Sequence, residues 1–525
     1  KIKQLDVFRL NHWDNRAKSS GLKWVQYSMD WKNIEEMPHP HFNPVVSQET
    51  LNDVISYCNN DVQSTLEIFN HSKEQILLRQ NLTREYGIDL YSASEPRISK
   101  ELFLHFLSER LNCEKAQIRT LRTPRPYIVI ADCILPYIEF KTPEFQKVLD
   151  FFRKTVVTST KDGFKYSINF RGVKTDYGLG GLHGAIDAGV YEAKPGWIIM
   201  TSDVISFYPN LAIKNKFHPA HLPANEFCQL YEWFFEERKK IPKSDPKNYV
   251  FKIILNSTYG LTGDENSFLY DPRMTMQITV NGQLLLSKLY EMLALEIPEA
   301  IPLMQNTDGL EMMIPLDRVD DYMRVCSEWE KLTQLSLEHD QYKKMVIRDV
   351  NNYLAVTTKD KVKCKGAFEW EDLEKKKVAV FHKNKSFLVI PKAIFEYFVN
   401  GVKPEDYLAS NRNIYDYCAG VKAKAGWQFQ GRTIDNGNLL SFTLPKIIRY
   451  FVSNNGSKII KVHNDGREIQ VEAGEWMQTT VNQIDDAVPF ESYDINFKYY
   501  LDAIYKEING IDQVTFKKST QLSLF

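Results

Sequence analysis

The sequence predicts a multidomain protein of mixed helix and strand. Its 525 residues are too many for one hydrophobic core. Apolar runs of strand length, at 197–200, 301–304 and 310–314, stand apart from stretches with helical spacing. Between the first two runs lie two helices with clear start and stop residues.

Taken in order, residues 1–95 read as alternating short helical and extended segments. The stretch from Tyr177 to Gly189 carries Gly178, Gly180, Gly181, Gly184 and Gly189, a density that marks a flexible connection or a close backbone approach. The run Trp197-Ile198-Ile199-Met200 reads as a strand ending at Asp203. One helix is expected from about Pro223 to Lys240, stopping near Pro242. A second is capped by Ser244 or Asp245, has Pro246 at or near its first position, and is expected to end at Gly260. Their short connection makes them an antiparallel helical hairpin. Past Ala300, two apolar runs flank Asn306-Thr307-Asp308-Gly309, which reads as a β-hairpin with an acid at its tip. From about residue 371 lysine-rich and aromatic stretches alternate.

Composition excludes several classes. No apolar run approaches the roughly 20 residues of a membrane span, and the opening KIKQLDVFRL lacks the apolar centre of a signal peptide. Sixty-six Lys and Arg against 67 Asp and Glu leave a net charge of −1, so any nucleic-acid contact must come from local clustering of positive charge. Seven cysteines without a C-x-x-C pair argue against a zinc or iron–sulfur module and fit a reducing cytoplasm.

The candidate chemistry centres on two acids. Nucleotidyl transfer uses two divalent ions, and Mg²⁺ prefers hard oxygen ligands held on rigid elements. Asp203 at a strand end and Asp308 at a hairpin tip would supply them if the strands are neighbours. Lys252, Asn256 and Tyr259 recur on one helix face, while Val250, Phe251, Ile254 and Leu255 supply an apolar face. Arg238, Lys239 and Lys240 close the partner helix, where cations also favour the helix dipole.

Three motifs then carry a resemblance. Asp203-Val-Ile-Ser206-Phe207-Tyr208-Pro209 resembles D-x-x-S-L-Y-P of the family B DNA polymerases. Lys252-x-x-x-Asn256-Ser257-Thr258-Tyr259-Gly260 resembles their K-x-x-x-N-S-x-Y-G. Gln305-Asn306-Thr307-Asp308-Gly309 resembles Y-x-D-T-D-S, with Asn306 in place of the first acid and Gly309 in place of the serine. The order is the family's. The resemblance implies a DNA-directed DNA polymerase of α+β class: a right hand of palm, two-helix fingers and thumb, preceded by part of an RNase H-like exonuclease domain. The expected boundaries are 1–95 exonuclease-like, 96–195 linker and palm-associated, 196–214 palm, 215–262 fingers, 263–370 palm, 371–515 thumb and 516–525 tail.

It also implies roles. Asp203 and Asp308 would be the catalytic ligands of two Mg²⁺ ions, with Mn²⁺ as a substitute. Ser206, Tyr208, Arg238, Lys252 and Asn256 would bind the incoming deoxynucleotide, the Tyr208 ring excluding a 2′-hydroxyl. Tyr259 and Gly260 would shape the base-pair pocket. Gly180 and Gly181 resemble the Y-x-G-G link and would touch primer–template DNA, as would Tyr353 and Lys365. Asn351 stands where a Lys-x-Tyr element has its lysine, so Lys361, Lys363 and Lys365 on one strand face would supply the missing charge. Tyr57 and Asp61 resemble the last exonuclease motif, Y-x-x-x-D. The other exonuclease acids are not found, so no exonuclease activity is expected from this chain alone; an upstream segment of the same gene or a separate polypeptide would complete that domain. The chain ends Gln521-Leu522-Ser523-Leu524-Phe525, which resembles the bacterial sliding-clamp-binding motif and is expected on an unstructured tail after Lys517-Lys518. Together these imply a phage-type enzyme in a bacterial host cytoplasm. An inactive polymerase-shaped DNA-binding scaffold is the alternative.

Overall fold

The computed structural model describes residues 4–522 apart from 17, 41–43, 45, 46, 162 and 371–380, with side chains described to residue 512. The chain divides into two compact units, one of residues 1–87 with 367–509, the other of 88–366 with 510–525. Among the described residues no helix is long and apolar enough to cross a membrane.

The first unit joins helix α1 (Gln48–His71) to a six-stranded antiparallel sheet between Ala419 and Thr480. Ser47 caps α1 by accepting from the Thr50 amide at 3.1 Å, and Asn60, Ser64 and Ile68 are buried at four-residue spacing. The alternating helical and extended segments expected for 1–95 are not found. Among the described residues there, α1 and Lys73–Tyr86 dominate, and extended pairing is limited to one bridge, Asn33 to Gln483. The N-terminal segment also packs with residues that the sequence pattern assigns to a separate C-terminal domain. Buried Arg449 explains this: its guanidinium donates to the carbonyls of Trp31 and Lys32 and to those of Val481 and Asn482.

The second unit is built on a ten-stranded antiparallel sheet. Its strands are β1 (Tyr166–Phe170), β2 (Val173–Tyr177), β3 (Leu182–Ala185), β4 (Gly189–Glu192), β5 (Trp197–Val204), β6 (Ile301–Asn306), β7 (Gly309–Pro315), β8 (Leu337–Asp349), β9 (Asn352–Thr357) and β10 (Val362–Lys365). Their spatial order is β10-β9-β8-β5-β7-β6-β3-β2-β1, with β4 on the far part of β8. The glycine-rich stretch therefore contributes two strands. Gly184 is a close approach, since a β-carbon there would lie 2.4 Å from the Thr175 hydroxyl.

Strand period sorts the central residues onto two faces. On one, Ser202 Oγ meets the Tyr322 hydroxyl at 2.7 Å and His339 Nδ1 at 2.8 Å, joining the sheet to a covering helix, Val319–Thr333. On the other, Ile199, Met313, Tyr342 and Tyr353 share a buried cluster, with Asp203 further along the same face of β5.

Four helices follow or interrupt these strands: α2 (Phe207–Lys214), α3 (Ala224–Lys240), α4 (Pro246–Thr262) and α5 (Pro272–Glu296). Asp245 caps α4 by accepting from the Lys247 amide at 2.8 Å, with Pro246 at its first position. The stop expected at Gly260 falls inside α4, which runs to Thr262 with Gly263 as its C-cap. The glycine keeps helical geometry, and the Thr262 hydroxyl closes the last turn by donating to the Tyr259 carbonyl at 2.7 Å. The last helix, Phe497–Leu522, continues past Lys518, in place of the expected unstructured tail. The motif residues Gln521, Leu522, Leu524 and Phe525 lie outside the residues whose side chains are described.

Candidate active site

Antiparallel register brings the two acids together. β5 pairs with β7 so that Asp203 is opposite Gly309, and the Val204 amide donates to the Asp308 carbonyl at 2.7 Å. Both carboxylates line a cavity of about 500 Å³ whose walls also include Ser206, Tyr208, Arg238, Lys252, Asn256, Tyr353, Lys363 and Lys365. Its residues all belong to the second unit. Asp203 is half-buried and Asp308 exposed. Burial lifts the Asp203 carboxyl above the usual carboxylate range; Lys363, with Nζ 3.8 Å from Asp203 Oδ2, pulls it down, and Asp308 adds to the rise.

Gly309 is glycine for a steric reason. A β-carbon at 309 would lie 1.8 Å from Asp203 Oδ1, so the serine of the resembled motif has no room here. Asn306 holds the hairpin tip in shape. Its Oδ1 accepts from the Thr307 amide at 2.8 Å and lies 3.1 Å from His183 Nδ1, which pins the turn carrying Asp308.

The opposite wall is positive and comes from the helical hairpin. Lys252 and Asn256 stand on the exposed face of α4 while Val250, Phe251, Ile254 and Leu255 are buried. Arg238 comes from the last turn of α3, its Nη1 3.5 Å from Ser206 Oγ and its Nε 3.4 Å from Asn248 Oδ1. Among the described residues neither Arg238 nor Lys252 forms an ion pair with a carboxylate. Ser206 itself sits at φ +46°, a left-handed conformation costly for a non-glycine residue, as the N-cap of α2.

Tyr208, in the first turn of α2, packs against the Tyr259 ring with centroids 4.8 Å apart, and its hydroxyl donates to the Gly180 carbonyl at 3.1 Å. Tyr259, Gly260, Gly180 and Gly181 do not line the cavity. Buried Tyr353 and exposed Lys365 face each other across β9 and β10 and both line the cavity. Lys363 lines it too, whereas Lys361 lies in the turn before β10 and does not.

Sequence reasoning misses Glu311. It is 4% exposed on β7, lines the same cavity, and its Oε2 has no hydrogen-bond partner. Burial, with Asp203 adding, pushes its carboxyl up to about 8 while Lys363 opposes the rise. The available signal is a single charge inside the apolar run Leu310–Ile314.

No protein-family profile matches the chain, and no curated protein sequence does. Among solved structures it is similar to the family B DNA polymerase of the hyperthermophilic archaeon Pyrobaculum calidifontis. That match has a TM-score of 0.41 and 12% identity, over 97% of this chain and 63% of the other. The chain thus spans less than two thirds of that polymerase's length.

In the first unit, Tyr57 and Asp61 stand one turn apart on α1. Asp61 is ion-paired to Lys23 and accepts from Gln26 Nε2 at 3.2 Å, while the Lys23 ammonium lies 4.4 Å from the Tyr57 ring centre. Burial, with the Asp61 hydrogen bond adding, pushes the Tyr57 hydroxyl up to about 12.

The chemistry of the donors suits a divalent ion only in part. Among the described residues no three His, Cys, Asp or Glu side chains converge as a ready-made cage. Two carboxylates from neighbouring strands do suit Mg²⁺, which is commonly held by one or two carboxylates together with water and substrate phosphates.

Proposed function

We propose that the chain is a DNA-directed DNA polymerase that adds deoxynucleotides to a primer 3′ end. The observation that carries this reading is one cavity with an acid pair on one wall, Asp203 and Asp308, and on the other two cations, Arg238 and Lys252, with no acid partner among the described residues. A polyanionic substrate with its divalent ions fits between such walls; a neutral substrate would leave the Arg238 and Lys252 charges unanswered.

Asp203 and Asp308 would hold the ions, two Mg²⁺ or Mn²⁺. Bound ions supply stabilisation of the attacking 3′ oxygen and the departing pyrophosphate. The chain's own residues do the rest. Arg238 and Lys252 receive the triphosphate, Arg238 steadied by Ser206. The Tyr208 ring, braced by Tyr259, excludes a 2′-hydroxyl. Asn256, Tyr259 and Gly260 shape the floor beneath the base pair. Tyr353, Lys363 and Lys365 receive the primer end, and the loop of Gly180 and Gly181 receives the template backbone. On this reading the helical hairpin is the fingers and the sheet the palm.

The finer reading is a phage-type replicative enzyme working in a bacterial cytoplasm, with the C-terminal Gln521-Leu-Ser-Leu-Phe525 binding the host's sliding clamp. Tyr57 and Asp61 belong to an exonuclease-like segment in which Asp61 is paired with Lys23, and residues 1–525 alone are expected to show no exonuclease activity. Deleting 521–525 should abolish clamp stimulation of long-product synthesis while short-primer extension persists.

The deciding experiment is primer extension with Mg²⁺ by the wild-type chain and by Asp203→Asn and Asp308→Asn. Wild-type extension is expected, with each variant reduced by more than about 1,000-fold, roughly 4 kcal/mol in barrier, at unchanged duplex affinity. A wild-type chain that binds primer–template without extending it would identify a scaffold instead.

A further inference from the structure

Asp203 has a cation beside it before any metal arrives. Lys363 Nζ lies 3.8 Å from Asp203 Oδ2 and 3.3 Å from the Tyr342 hydroxyl, both partners being on the site face of the sheet. A divalent ion on the Asp203 carboxylate repels an ammonium at that range, and in a half-buried setting the repulsion is weakly screened. Metal binding at Asp203 therefore favours a second position for Lys363. Among the described residues that line the cavity, Glu311 supplies the one buried acceptor without a hydrogen-bond partner. Glu311 is buried, its Oε2 has no hydrogen-bond partner, and it lies two positions beyond Gly309 on the face that carries Asp203. A buried oxygen left unpaired is costly, and an ammonium N–H would satisfy it.

We propose that Lys363 is the resting counter-ion of Asp203, and that Glu311 receives its ammonium when a divalent cation occupies the Asp203 carboxylate. The proposal rests on the reading of Asp203 as a metal ligand. Both residues are positioning residues. Lys363 holds the cation position beside Asp203 at rest, and Glu311 acts only by offering Lys363 a second station. Tyr342, buried and within reach of the ammonium, is the pivot. The arrangement keeps the acid pair from standing as bare like charges between turnovers. It also makes metal entry an exchange of one cation for another.

The test is calorimetric titration of Mn²⁺ into the full chain without DNA or nucleotide. Lys363→Met is expected to bind Mn²⁺ about tenfold tighter than wild type, because the competing charge is gone. Glu311→Gln is expected to bind it about tenfold more weakly, because the lysine has lost its second station. The double variant decides the route. With Lys363→Met already present, adding Glu311→Gln should change affinity by no more than about twofold. Unchanged Mn²⁺ affinity in Lys363→Met overturns the proposal, provided the wild-type chain binds Mn²⁺ and extends primers. So does an equal weakening by Glu311→Gln in both backgrounds, which would make Glu311 an independent part of the cation site. A wild-type chain that neither binds Mn²⁺ nor extends a primer overturns the reading of the site itself, and the proposal with it. Thermal unfolding of each variant separates misfolding from these outcomes.

Discussion

The hydroxyl of Tyr208 donates to the carbonyl of Gly180, tying a ring that lines the cavity to the glycine loop between β2 and β3. Ring and hydroxyl therefore have separable duties. Tyr208→Val should lower discrimination against ribonucleotides by about 100-fold or more, read as the dATP to ATP ratio in single-nucleotide insertion. Tyr208→Phe should keep that ratio within about twofold and weaken primer–template binding about fivefold, the scale of one hydrogen bond. If Phe admits ribonucleotides as Val does, the ring is not the gate.

Gly309 is expected to tolerate no side chain. Gly309→Ala drives a methyl into the space of the Asp203 carboxylate, so that carboxylate must turn away or the strands must part. Extension should fall by about 100-fold or more while primer–template affinity stays near wild type. An alanine variant with ordinary turnover would mean that Asp203 works from another rotamer.

Arg238→Ala and Lys252→Ala should act on the nucleotide, not on DNA. Each removes a charged contact worth about 1.5–3 kcal/mol, so kcat/KM for nucleotide should drop by roughly 10- to 100-fold. Duplex affinity measured without nucleotide should not move. The reverse pattern, weaker DNA binding at constant KM, would assign the helical hairpin to the template.

Glu311 makes stability depend on pH in a defined direction. Its folded-state value of about 8 stands above the ordinary 4.5, so between those values the folded chain holds a proton that the unfolded chain has released. Stability therefore falls as pH rises through that window, and the loss is complete above about pH 8. Glu311→Gln removes the titration. In chelator, the wild type should lose on the order of a few kcal/mol relative to the variant between pH 5 and pH 9, at about 1.4 kcal/mol per pH unit, measured by denaturant unfolding. Parallel pH profiles would place the charge elsewhere.

Some of this is written plainly in the chain. The strand ending near Asp203, the hairpin presenting Asp308 and the capped start of α4 follow from local rules of alternation and capping, and local rules are what a sequence states directly. Gly260 misleads because glycine stops a helix only when the next turn needs a left-handed residue, and here the helix is closed by the Thr262 hydroxyl instead. Glu311 is hidden by its company: in an apolar run a lone acid reads as noise until register places it beside Asp203. Lys363 is visible as a charge on an edge strand, but its approach to Asp203 depends on packing across several strands. The long helix α1 is lost for a related reason, since its buried face is lined partly by Asn60 and Ser64, which carry no hydrophobic signal.

The distance between Asp203 and Asp308 is set by hydrogen bonds across two neighbouring strands, not by the stretch of chain that separates them. The helical hairpin in that stretch is accordingly a replaceable part. It can be lengthened, shortened or exchanged for another without shifting either acid, provided its ends return to the sheet. The strands allow no such latitude: a one-residue deletion within β7 would turn every later side chain of that strand to the other face. Changes at Arg238 and Lys252 in the hairpin should therefore leave the acid pair in place, and the sheet is the frame to leave alone.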